Sequence, residues 1–168
     1  MEQEKLQAII ERIYRELKDQ IKEKIDDLGL NTEDCILKEE VHTRRLYFEW
    51  ERYRSKPKFD VRSDVARLWL QRFVALRFME ANNYLPSGVR IFSNVHGKFE
   101  PEILEKVDRL DLPGLDHDMV ETYRQNKDRL YRYLFLVQCR ALHSALPMLF
   151  EEENDIFELL LPDDLLNS

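Results

Sequence analysis

Between residues 2 and 28 the apolar side chains recur at steps of three and four: Leu6, Ile9, Ile10, Ile13, Leu17, Ile21, Ile25 and Leu28. The positions between them are mainly charged or polar. This spacing draws one stripe along a helix of 3.6 residues per turn. It predicts a single long helix, closed by Gly29 just past its last turn. A stripe of that length has to be covered, either by the rest of its own domain or by a helix of another chain.

Helical punctuation continues beyond it. Asn31 or Thr32 can cap a shorter helix running to about Val41, with Glu33 and Asp34 in its first turn. Residues 42–59 are basic and aromatic together, hold no single period and meet Pro57, which leaves their secondary structure open. Asp60 or Ser63 opens the most apolar helix, to about Asn83. Val65, Leu68, Trp69, Phe73, Leu76 and Met79 or Glu80 make its face, widened by Leu70, Val74 and Phe78. Residues 85–88 read as a turn, and 89–93 alternate as a short extended piece with no partner strand. A helix is expected over 100–110 with Pro101 in its first position, burying Ile103, Leu104 and Val107. Asp116 or Asp118 opens a long one from Met119 to about Leu146, interrupted by Pro147.

Four glycines and six prolines in 168 residues are too few turn formers for a many-stranded sandwich or barrel. The expected fold is all-α, one helical domain of five to seven helices, with residues 1–29 as an arm and 30–168 as the helical core of the same unit. No apolar run approaches the ~18 residues of a membrane span. The first residues lack a signal peptide's apolar stretch, and two distant cysteines suit a reducing cytoplasm.

The chemistry of common active sites is missing. All four glycines are isolated, so no phosphate-cradling loop can form, and no metalloprotease or serine-nucleophile motif occurs. Cys139 and His143 stand four residues apart but fall short of a four-ligand metal site. No catalytic, cofactor-binding or metal-binding residue is expected. Charge is more informative. The chain carries a net −7, which discourages indiscriminate adhesion to nucleic acid or anionic lipid, yet residues 42–90 hold eleven lysines and arginines against five acids. Arg44, Arg45, Arg52, Arg54, Lys56 and Lys58, interleaved with Tyr47, Trp50, Tyr53 and Phe59, are candidates for phosphate contact combined with stacking. The competing reading is ordinary ion pairing, with Arg67, Arg72 and Arg77 meeting acidic helices of the same domain. The acids from 151 to 164, seven with no base, fit a surface for protein partners.

Two blocks resemble a known family. Residues 70–85, LQRFVALRFMEANNYL, are similar to the "WFNRLxALRFMExNxYL" helix of PglX-type adenine-specific DNA methyltransferases, which serve the BREX phage-defence system. Residues 134–143, 147–150 and 158–166 resemble that family's "LFLxQCxxLxxxxPxLFE…ELLLPxxLL" stretch in order and separation. The resemblance implies the N-terminal helical region of a longer methyltransferase. Such an enzyme uses S-adenosylmethionine through a glycine-rich strand–loop and holds the flipped adenine with [NDS]PP[YFW]. Neither motif occurs in these 168 residues, so no catalytic position carries over. The implied partners are the rest of the methyltransferase chain, DNA and other phage-defence proteins. The alternative is a free-standing helical module for protein–protein interaction.

Overall fold

The computed structural model describes residues 1–33, 35, 37, 43–58, 60–150 and 156–165. Among them are seven α-helices and no strand: α1 (Glu2–Asp27), α2 (Arg44–Arg54), α3 (Val61–Ala81), α4 (Glu102–Glu105), α5 (His117–Tyr123), α6 (Lys127–Ala141) and α7 (Ile156–Leu159). A 3-10 turn, Val107–Arg109, follows α4. The all-α expectation holds. The helix proposed between Asn31 and Val41 lies largely outside the described residues. The chain divides into two compact units, residues 1–71 with 154–162, and 72–153 with 163–168.

In the first unit α1 ends as its sequence predicts. Gly29 takes φ 63°, its N–H donates to the Asp26 carbonyl, and the Leu30 N–H reaches back to Ile25. This pair of bonds satisfies the last carbonyls of the helix at a left-handed residue. Only the second half of the α1 stripe is covered: Leu17, Ile21 and Ile25 are buried, whereas Leu6, Ile9 and Ile10 are exposed. Two indoles tie the unit together. Trp50 of α2 donates Nε1–H to the Leu30 carbonyl at 3.1 Å, and Trp69 of α3 donates to the Phe157 carbonyl at 2.8 Å. Both rings are buried, so each removes a large apolar surface from water while keeping its one donor paired. Asp60 opens α3, its carboxylate accepting from the Ser63 hydroxyl at 2.6 Å.

The second unit is organised around Glu80. Its carboxylate is buried at the end of α3, pairs with Arg77, and accepts the backbone N–H groups of Phe92 (2.8 Å) and Ser93 (3.3 Å). α3 then closes with Asn83 at φ 57°, the Tyr84 N–H bonding back to Met79. Asparagine tolerates this left-handed turn better than other side chains with a Cβ. The segment expected to be extended, 89–93, is not in a sheet. It is held by Glu80, by Tyr131 Oη–H donating to the Ile91 carbonyl (2.6 Å), and by the Ile103 N–H donating to the Arg90 carbonyl (2.9 Å). Burial, with Glu80 and Cys139 nearby, pushes the Tyr131 phenol well above its ordinary value, so it remains a donor. Phe73, Phe92 and Phe135 form a ring cluster with centroids 5.8–6.2 Å apart.

Several expectations need correction. Val74 and Phe78 do not widen the buried face of α3; they are exposed, and Arg72 is buried in the same helix, while Glu80, one of the two residues offered for the end of that face, is buried. Arg72 donates to the Leu149 carbonyl (2.7 Å) and lies over the Phe150 ring, while Arg67 and Arg77 pair with Asp64 and Glu80 of their own helix. The expected 100–110 helix is one turn of α-helix and a 3-10 turn, although Ile103, Leu104 and Val107 are buried as expected. Pro101 stands at the N-cap, one place before the helix begins. The long helix to Leu146 is two. The Asn126 side chain accepts the Arg129 N–H and restarts the chain as α6, which ends at Ala141. A side-chain acceptor at that point competes with continuation of the previous helix. In the acidic stretch, Glu158 is buried.

Glu80→Ala removes the acceptor of two backbone donors and should cost about 2–3 kcal/mol in urea unfolding. Glu80→Gln, which keeps one acceptor oxygen, should cost less. The Ser63 hydroxyl bond, opposed by slight desolvation, holds Asp60 below the usual carboxylate range. Its contribution is therefore complete above the unfolded-state value and lost as pH falls through the lower folded value. Asp60→Ala should cost about 1 kcal/mol at neutral pH, and the gap from the parent should close in unfolding curves measured near the acid limit.

Candidate nucleic-acid interface

The segment left open by its aromatics is helical from Arg44 to Arg54. Leu46 and Trp50 are buried and Tyr53 is half-buried, steps of four and three that seat the helix on one side. Tyr53 packs against Phe157 with centroids 5.0 Å apart. Glu49 works inward as well: its Oε2 accepts the Ile156 N–H at 3.2 Å, supporting the first turn of α7, while its Oε1 pairs with Arg45 at 3.2 Å.

The opposite side of α2 is basic. Arg44, Phe48 and Arg52 follow at i, i+4 and i+8, and Arg45 lies three residues before Phe48, so all four share one exposed stripe. With Glu49 they line an open concavity. Phe48 is 63% exposed at the middle of the stripe. The Arg52 guanidinium also lies 5.6 Å from the Tyr53 ring.

The remaining candidates are placed elsewhere. Arg54 falls on another side of α2 and pairs with Glu51 at 3.4 Å. Lys56 follows the helix and sits 4.6 Å from the centre of the Tyr53 ring. Lys58 is exposed, in a left-handed conformation with φ 64°. Of the aromatics read as stacking surfaces, Trp50 is buried with its indole donor engaged, Tyr47 and Tyr53 are half-buried, and Phe59 lies outside the described residues. Phe48 is the residue the sequence reading passed over. Treating Leu46, Trp50 and Tyr53 as one helical face would have pointed to it on the opposite side.

Titratable side chains also line a second concavity, His96, Lys98, Glu105, Lys106, Asp108 and Arg109. His143 Nδ1 lies 2.7 Å from the Phe150 carbonyl oxygen, and Cys139 is buried. Among the described residues no group of three or more His, Cys, Asp or Glu side chains could hold a metal ion, and no helix is long and apolar enough to cross a membrane.

The chain is similar over part of its length to two known proteins. No family profile matches it. It is 42% identical over 105 residues to the adenine-specific methyltransferase BrxX of Escherichia coli (strain HS) and 37% identical over 111 residues to the adenine-specific methyltransferase PglX of Lacticaseibacillus casei (strain Zhang). Each match covers 60% of this chain and 9% of the relative, so the chain corresponds to about a tenth of either protein. Over that stretch the chain is similar to these two methyltransferases.

The two faces of α2 should respond differently to substitution. Arg44→Glu with Arg52→Glu should leave stability within about 0.5 kcal/mol of the parent. Trp50→Ala should cost about 3–5 kcal/mol by opening a cavity and orphaning the Leu30 carbonyl. Urea unfolding measures both.

Proposed function

We propose that this chain is a non-catalytic helical portion of a BREX-type, site-specific N6-adenine DNA methyltransferase acting in cytoplasmic phage defence. In this reading it supports the catalytic domain and contacts DNA through the basic stripe of α2. The similarity to two adenine-specific methyltransferases, both about ten times longer than the matched stretch, carries the proposal. S-adenosylmethionine would then be bound by other parts of the enzyme, because the isolated glycines here offer no cofactor loop. Arg44, Arg45 and Arg52 would neutralise phosphates, a sequence-independent contact that positions DNA without reading it. The rest of the methyltransferase and other defence proteins are the partners this reading implies.

One observation favours the second reading, a free-standing interaction module. Leu6, Ile9 and Ile10 expose the first half of the α1 stripe. Exposed apolar stripes of this kind are suited to partner helices.

A labelled-methyl assay with S-adenosylmethionine and DNA should give no transfer by this chain, and transfer would overturn the non-catalytic assignment. Duplex DNA should bind weakly and lose affinity steeply as salt rises. Charge reversal at Arg44 and Arg52 should weaken that binding alike for unrelated sequences. Light scattering across a dilution series separates the readings: a monomer at all concentrations supports the first, and concentration-dependent assembly supports the second.

A further inference from the structure

We infer that the α2 stripe is built for an unpaired nucleic-acid strand, with Phe48 as the stacking platform between phosphate-binding arginines. The inference rests on the nucleic-acid contact proposed above and specifies its ligand. The local charge is opposite to that of the molecule as a whole, three arginines on a chain of net −7, which selects a polyanion at this face. Arg44 and Arg52 are separated by eight residues, about 12 Å along the helix axis, with Phe48 midway. The one acid lining the concavity, Glu49, is engaged by Arg45 and by the Ile156 N–H.

Phe48 decides between partners. Phosphate contact alone needs only cations, and a phenyl ring exposed among them gains nothing against the backbone of an intact duplex, whose bases face one another in the stack. An unpaired strand offers both phosphates and open base faces, and an aromatic ring within a cationic surface binds both without regard to sequence. An enzyme that takes its target base out of the helix creates such unpaired nucleotides beside the site of reaction.

The test compares the full 168-residue chain with its Phe48→Leu variant. Fluorescence anisotropy at low salt would use two labelled probes, an oligothymidine strand of about 15 nucleotides and a mixed-sequence duplex of the same length. The strand should bind about tenfold more tightly than the duplex. Phe48→Leu should weaken strand binding about tenfold and change duplex binding less than twofold, since stacking is lost and charge is kept. Phe48 is exposed, so circular dichroism should report unchanged helix content. Arg44→Glu with Arg52→Glu should reduce binding of both probes. Duplex binding as tight as strand binding, or strand binding indifferent to Phe48→Leu, overturns the inference and leaves the phosphate contact standing. Failure of both probes to bind overturns the inference together with the DNA contact.

Discussion

The Glu80 carboxylate determines the course of the chain after α3. A buried acid at a helix end is tolerated only when its charge is answered by donors, and here the answer comes from Arg77 and the backbone of Phe92 and Ser93. Those bonds draw residues 91–93 back to the helix they have just left. Phe92 is then placed against Phe73 and Phe135, and the Ile91 carbonyl lies within reach of Tyr131. One charged group thus replaces the sheet pairing that an alternating segment would otherwise seek. Earlier in the same helix, Arg72 uses a backbone carbonyl and an aromatic ring in the same way.

These two residues also explain why part of α3 is inverted relative to simple amphipathicity. Arg72 and Glu80 occupy interior positions, and Val74 and Phe78 are turned outward, where Phe78 packs against Tyr84 at 6.3 Å. Hydrophobic periodicity assumes that polarity and exposure coincide. That assumption fails wherever a buried charge is fully hydrogen-bonded. The α1 stripe departs from the rule in the other direction, being continuous in sequence but covered only from Leu17 onward.

In α2 the division of labour is cleaner. Trp50 and Tyr53 support the helix, and Glu49 supports the start of α7, which leaves Arg44, Arg45, Phe48 and Arg52 on the opposite side as a coherent surface. A segment whose aromatics follow no single period therefore separates by role. Some aromatics are structural, and Phe48 is presented. The same division removes Trp50 from any stacking role and Arg54 from the cluster.

The all-helical class, the long first helix with its Gly29 stop, the reach of α3 and the likeness to adenine-specific methyltransferases were all legible in the sequence. They depend on local periodicity, on capping residues and on residue order, which act within a few positions along the chain. Tertiary structure alone decided which half of the α1 stripe is covered, and that 89–93 is anchored by the Glu80 carboxylate, the Tyr131 hydroxyl and the Ile103 N–H. Each of these depends on groups far apart in sequence answering one another's hydrogen-bonding and burial demands. A window of neighbouring residues contains no record of such long-range pairing.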